Sequence, residues 1–204
     1  MLRSVGSYSR KCKRLVWENK TNDSFNKKNY CKGQHGATTM RRNGNYAVQL
    51  REKQYVRYHY GLMEKQFSII VSRAKNMSGN MIDNLANLLE SRLDVIVYRA
   101  NFASTIFAAK QFVSHGKILV NGKRVNLCGY LVKNGDVAEI VESFRKNDKL
   151  LESIEKTERS VPDYLTVDKD KFSVVKIREN SFSEVTFGSK IRIGLVVEYY
   201  SKKL

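Results

Sequence analysis

Residues Arg92 to Val125, RLDVIVYRANFASTIFAAKQFVSHGKILVNGKRV, read as helix, loop, helix and tight hairpin. Asn101 interrupts the first helix. Ser104 is placed to N-cap a second helix over Thr105–His115, with Phe102 just ahead of it, and Gly116 suits the position after its end. Ile118-Leu119-Val120 then meets Asn121-Gly122, the strongest two-residue hairpin signal. Ile106, Phe107, Phe112, Val113, Ile118, Val120 and Val125 are expected to form a core. The bases Arg92, Arg99, Lys110, Lys117, Lys123 and Arg124 face a single acid, Asp94. Apolar below and basic above is a division suited to phosphate and to the shape of A-form RNA rather than to base reading.

The rest of the chain sharpens this reading. It has 204 residues, 42% hydrophobic, with 37 Lys and Arg against 20 Asp and Glu, a net charge of +17. Such an excess repels itself unless a polyanion lies beside it, either nucleic acid or an anionic membrane. A membrane is the weaker choice, because no apolar run approaches the ~20 residues of a span and no lipidation signal is visible. The charge is uneven: residues 1–60 hold 14 bases and 3 acids. Three widely spaced cysteines, Cys12, Cys31 and Cys128, make no disulfide framework and fit a reducing compartment. The opening MLRSVGSYSRKCKRLVW, basic and without acid, resembles a transit peptide.

Residues 1–44 are polar and almost without hydrophobic periodicity, which predicts extended loops with little core of their own. The pattern turns helical over Tyr46–Tyr60, and Gly61 offers a stop. Phe67, Ile70, Val71 and Ala74 form the apolar face of a second helix. Ile82, Leu85 and Leu89 form that of a third, about Met81–Ser91. Short links between the three suggest a small bundle. Beyond the module, Lys133-Asn134-Gly135-Asp136 is a turn before a strand over Val137–Val141. Residues 142–160 are charged and read as helix, with Leu150, Leu151 and Ile154 as an apolar edge. Alternation over Phe172–Ile177, and at Ile191, Ile193, Leu195, Val197 and Tyr199, predicts strands.

Catalysis needs converging groups, and few are present. His35, His59 and His115 each lie in basic context, and no H-E-x-x-H, G-x-S-x-G or Walker sequence occurs. Cys12, Cys31 and His35 offer three metal ligands, but structural zinc sites use four and favour C-x₂₋₄-C pairs. Free thiols are the better reading, so no catalytic residue, metal or cofactor is expected. On the first helix Arg51, Lys53 and Arg57 alternate with Tyr55, Tyr58 and Tyr60. Those tyrosines either stack on nucleotides or pack into the bundle, and spacing does not choose.

These residues carry a resemblance. GQHG at 33–36, LREKQ at 50–54, YGLMEKQF at 60–67 and NLLESRLD at 87–94 resemble bacterial small-subunit ribosomal protein four. So do VSHGKILVNGKRVN at 113–126, YLV at 130–132, YLTVD at 164–168 and LVVEYYSK at 195–202, in the same order and spacing. The RLD, VSHG and VNGKRV words recur in other RNA-binding proteins; GQHG with LREKQ and EKQF is specific. The resemblance implies an α+β fold, a helical domain plus an RNA-binding module with a small antiparallel sheet. It implies a basic extension over 1–44 and a helical domain over 45–91, completed by a tail at about 195–204. An RNA-binding domain would span 92–194, with the module at about 92–156.

It further implies a structural, non-enzymatic constituent of the small ribosomal subunit. Such a protein binds 16S-type rRNA early and nucleates assembly of the 5′ domain. It contacts ribosomal protein five, lies near the mRNA entry channel and influences accuracy. The RNA-contacting positions implied in the first half are His35, Arg41, Arg42, Gln49, Arg51, Lys53, Gln54, Arg57 and Lys65. In the second half they are Arg92, Arg99, Lys110, Gln111, Ser114, His115, Lys117, Asn121, Lys123 and Arg124. Family members begin with such a basic segment, so residues 1–17 are expected to be mature protein. A cytoplasmic ribosome is expected; abundant Asn, Lys, Ile and Tyr suit an organellar one as well. Departures are Ile106 for Arg, Asn101 for Gly, Asn134 for Pro, the absence of the four-cysteine zinc cluster of some members, and a divergent 169–190. An enzyme carrying the same module, such as a pseudouridine synthase, would need a separate catalytic domain, and a heat-shock-type factor would lack GQHG and LREKQ.

Overall fold

The computed structural model describes residues 5–12, 14–17, 30, 34, 36, 44–156, 159–187 and 191–201. In chain order these form α1 (Val5–Cys12), α2 (Asn45–His59), α3 (Glu64–Asn76), α4 (Met81–Glu90), α5 (Leu93–Arg99) and α6 (Ile106–Ser114). Then come β1 (Ile118–Val120), β2 (Lys123–Arg124), β3 (Val137–Ile140), α7 (Asp148–Glu155), β4 (Leu165–Asp168), β5 (Ser173–Lys176) and α8 (Ile193–Ser201). The chain divides into two compact units, Met1–Asn76 with Thr186–Leu204, and Met77–Val185.

The first unit is helical. Phe67, Val71 and Ala74 of α3 are buried as the spacing requires, while Ile70 is half-buried. Tyr55, Tyr58 and Tyr60 are all buried, so at these positions packing prevails over stacking on a ligand. Two expectations fail. The described part of 1–44 is not core-free: α1 packs on α2, with the Tyr8 ring 4.6 Å from that of Tyr58. Cys12, Val16 and Trp17 are buried, and the Trp17 indole N–H donates to the His59 carbonyl at 3.1 Å. Aromatic burial here needs no periodicity, which is why none was visible. The Cys12 thiol is pushed up to about 12 by burial, which keeps it protonated and inert.

The second failure is the C-terminal strand. Residues Ile193–Ser201 form a helix that packs on α2. Its buried residues, Ile193, Val196, Tyr199 and Tyr200, are three and four apart. A nearly continuous apolar run satisfies both periods, and the partner surface chooses between them. Tyr200 also donates its hydroxyl to Glu64 at 3.1 Å, where Lys53 lies at 2.6 Å and Arg57 at 3.4 Å.

Burial pushes the Glu64 carboxyl up, but the Lys53 hydrogen bond and charge, with Tyr200 and Arg57, outweigh it and hold the group below 4.5. A carboxylate with a depressed folded pKa contributes stability above its unfolded pKa, and loses it as pH falls through the folded value. Melting curves of the protein and of Glu64→Gln should therefore converge as pH is lowered through the ordinary carboxylate range and below it. A constant gap would show that Glu64 does not titrate with folding.

The second unit is an antiparallel five-stranded sheet, order β2-β1-β3-β5-β4, with helices α4 to α7. The α+β expectation holds. Every residue of α5 is buried, apolar or paired, so it is the central helix of this unit. The Asn121-Gly122 hairpin forms as read, with φ of 49° and 76°, the double left-handed geometry of a two-residue turn. Asn101 takes φ 62°, as its substitution for glycine requires.

Four readings shift. Thr105, not Ser104, caps α6, accepting from the Ala108 N–H at 3.1 Å. Phe107 and Val125 are half-buried rather than core. Leu151 is exposed, because α7 is short and turns only Leu150 fully inward. Leu165–Asp168, which alternation did not single out, is the edge strand β4.

By its contacts, the helix over Met81–Glu90 groups with the sheet and not with helices α2 and α3. Helix α4 belongs to the second unit, because its polar residues are tied there. Asp83 accepts from Phe182 N at 3.0 Å. Asn87 and Ser91 receive the Lys176 ammonium at 3.2 and 2.6 Å. Glu90 accepts two bonds from Arg99, at 3.0 and 2.7 Å, and one from the Tyr164 hydroxyl at 2.7 Å.

Candidate nucleic-acid interface

The sequence brings a line of polar groups to the end of α6. Gln111, Ser114 and His115 are exposed. Gly116 then reverses the chain: its N–H donates to Val113 O at 2.8 Å, and that of Lys117 to Phe112 O at 3.0 Å, closing a Schellman turn with φ 64°. The turn aims the chain into β1, and the hairpin returns Lys123 and Arg124, both exposed, alongside. Arg124 lies across Gly116, where an added Cβ would stand 3.0 Å from its Cδ. Gly116→Ala is expected to lower stability by about 1–2 kcal/mol, from the left-handed backbone, and to displace the Arg124 side chain. Thermal melts with RNA titration check both, and an unaltered melt would reject the strain.

The hairpin tip is braced from behind. Asn121 accepts from Val137 N at 3.0 Å and donates to Asp136 at 2.8 Å; Asp136 also accepts from Lys133 N at 2.9 Å. The bond from Asn121, then that from Lys133, hold the Asp136 carboxyl below its ordinary value. Asn121 is thus part of the tip's scaffold as well as exposed.

Cations of the expected set fall into two groups. Lys117, Lys123 and Arg124 have no carboxylate within ion-pair distance among the described residues, although Lys117 lies 5.6 Å over the Phe144 ring. Arg92 and Arg99, by contrast, are 5% and 6% exposed. Arg92 makes a two-pronged bond to Asp94, at 3.1 and 2.8 Å, and Lys110 approaches the same carboxylate at 3.5 Å. Burial pushes the Lys110 ammonium down, and Asp94 opposes the shift. Arg92 and Arg99 hold helix ends together from inside. They are not on the basic edge that the sequence suggested.

The first unit shows the same division. Gln49 and Lys53 are buried, Arg51, Gln54 and Arg57 are half-buried, and Lys65 is exposed. His35, Arg41 and Arg42 lie outside the described residues, as does Cys31. Among the described residues no group of three or more potential metal ligands occurs, and no helix is long and apolar enough to cross a membrane. Ile106, where the resemblance implies Arg, is 2% exposed and serves the core.

One organising residue gave no sequence signal. Arg159 donates to Asn101 Oδ1, Ser104 O and Ala103 O at 3.1, 3.1 and 2.8 Å, and its guanidinium lies 4.0 Å over the Tyr98 ring. It locks the loop that launches α6. Its partners are 55 to 61 residues away, beyond any local pattern.

An exposed cationic hairpin on a rigid α+β scaffold defines a class, the small basic modules that bind nucleic-acid backbones. Comparison with known proteins narrows this. Residues 3–90 match the ribosomal protein S4/S9 N-terminal domain, and residues 91–137 match the S4 domain. Small ribosomal subunit protein uS4 of Ruegeria sp. (strain TM1040) is 44% identical over 178 residues, 87% of this chain and 86% of the relative. That of Paracoccus denitrificans is 43% identical over 188 residues, covering 92% and 91%. That of Rickettsia felis is 40% identical over 203 residues, 99% and 98%. The chain belongs to the uS4 family of small ribosomal subunit proteins. It is a structural ribosomal protein, not an enzyme.

Proposed function

We propose that this protein binds small-subunit rRNA as an early, structural step of subunit assembly. The observation that carries the reading is one edge of the second unit, where half-buried Lys117 and exposed Lys123 and Arg124 have no carboxylate partner among the described residues and lie beside exposed Gln111, Ser114 and His115. Free cations on a preformed hairpin neutralise phosphates, and the exposed polar groups fix register on the backbone. Arg92 and Arg99 act through the scaffold, by holding the elements that carry the edge, while Lys53 braces the first unit through Glu64. Arg51, Gln54, Arg57 and Lys65 extend contact from the first unit, joined by His35, Arg41 and Arg42. Family membership further supports contact with ribosomal protein five, a place near the mRNA path, an influence on accuracy, and residence on a cytoplasmic or organellar ribosome.

The test is binding of the protein to the 5′ domain of its small-subunit rRNA across a salt series, against excess unrelated RNA. Tight binding that survives the competitor is expected. With ~6–10 phosphates neutralised, affinity should fall by ~10³–10⁵ between 50 and 200 mM salt on a duplex-DNA scale, less steeply for folded RNA. Loss of binding to the competitor would reduce the protein to a nonspecific basic chain and reject the assembly role.

A further inference from the structure

We propose that the groove between α6 and α7 holds one unpaired RNA nucleotide, extruded from the rRNA that the basic edge grips. This rests on the rRNA-binding reading and adds a second, base-accepting site to it. The groove has a volume of about 400 Å³, within the range of small-ligand pockets. It is lined by Ser104, Ala108, Gln111 and Phe112 from α6 and the turn before it, and by Lys149 and Lys156 from α7 and its C-terminal end. Apolar ring surface among hydrogen-bonding groups is what a nucleobase needs, and RNA is read mainly through bases splayed out of their stack.

The floor is rigid. Arg159 Nε donates to the Asn101 side-chain Oδ1 at 3.1 Å, and Asn101 returns a bond from Nδ2 to Arg159 O at 2.9 Å. Three groups around this floor have no hydrogen-bond or ion-pair partner among the described residues: the Gln111 side-chain amide, the Ser104 hydroxyl and the Lys149 ammonium. The amide both donates and accepts, and so can meet a base edge; the ammonium suits the attached phosphate. Among the described lining residues, Lys149, Lys156 and Arg159 outweigh the carboxylate of Glu152, which pairs with Lys156. Gln111 belongs to both the groove and the exposed edge, so a strand followed along the edge passes the groove's mouth.

The experiment uses the full chain in two arms. In the first, rRNA affinity is measured for the wild type, Ser104→Phe, which fills the mouth, and Lys149→Ala, which keeps the space and removes the cation. Melting curves confirm folding. Each variant should weaken binding on the order of tenfold, the scale of one stacked base. In the second arm, labelled protein is titrated with uridine and adenosine monophosphates and with inorganic phosphate, and amide shifts are followed by NMR. Shifts at Ser104, Gln111 and Phe112 are expected with the nucleotides, and should persist in a Lys123→Ala/Arg124→Ala double variant. Wild-type rRNA affinity in both groove variants overturns the proposal, as do absent nucleotide shifts. Equal shifts with phosphate alone overturn the base-accepting assignment. Failure of the wild type to hold rRNA against competitor overturns the ribosomal reading instead, and the nucleotide titration then decides the groove by itself.

Discussion

Glu90→Ala is expected to destabilise the protein by about 3–5 kcal/mol, the cost of breaking a buried ion pair from one side. Glu90 is 1% exposed and Arg99 is 6% exposed, so neither group can recover its interaction with water in place. The substitution takes from the buried Arg99 guanidinium both its bonds to the carboxylate, at 3.0 and 2.7 Å. It also removes the acceptor of the Tyr164 hydroxyl. That phenol is already raised well above its ordinary value, by burial first and by Glu90 second, so ionisation offers no relief. For a chain of this size, each kcal/mol is worth roughly 2–4 °C, so the melting temperature should fall by about 6–20 °C. Glu90→Gln keeps an acceptor and the shape, and should lie between. A melting temperature within a degree or so of wild type for Glu90→Ala would mean that solvent reaches the pair, and would reject the buried clasp between α4 and α5.

The second large effect separates the two kinds of cation. Lys123→Ala with Arg124→Ala should weaken rRNA binding steeply at low salt and flatten the dependence of log affinity on log salt by roughly 1.5–2, about the contribution of two phosphate contacts. Folding should be nearly untouched, because both side chains are exposed and without ion-pair partners among the described residues. Arg92→Ala is expected to do the opposite. It leaves Asp94, 0% exposed, with the Val95 N–H at 3.0 Å and Lys110 at 3.5 Å but without the guanidinium, and lowers the melting temperature; well below that temperature the salt slope should be unchanged. An Arg92 variant that flattened the slope as much as the hairpin pair would show that Arg92 leaves Asp94 and reaches phosphate on binding.

This contrast bears on how much of the interface was readable in advance. Lys123 and Arg124 are adjacent, at a hairpin whose geometry Asn121-Gly122 enforces, so their shared edge follows from local rules. Arg92 and Arg99 carry the same charge in the same stretch, and nothing in their neighbours distinguishes them. Their burial depends on Asp94 and Glu90 meeting them inside the fold, and on the apolar helix α5 lying at the centre of the second unit. A basic residue is equally basic in a clasp and on a phosphate surface. The groove between α6 and α7 was beyond reading altogether, since Ser104 and Lys149 are brought together only by packing.

Local chemistry, then, was enough for the α+β class, the hairpin, the turn at Gly116, the left-handed Asn101 and the helices with one clear apolar stripe, because each depends on residues a few positions apart. Packing alone settled the rest: that Ile193–Ser201 is helix and not strand, that α4 joins the second unit, that Tyr55, Tyr58 and Tyr60 face inward, and which cations remain free. Those outcomes turn on burial, and burial is a property of the partner surface as much as of the residue.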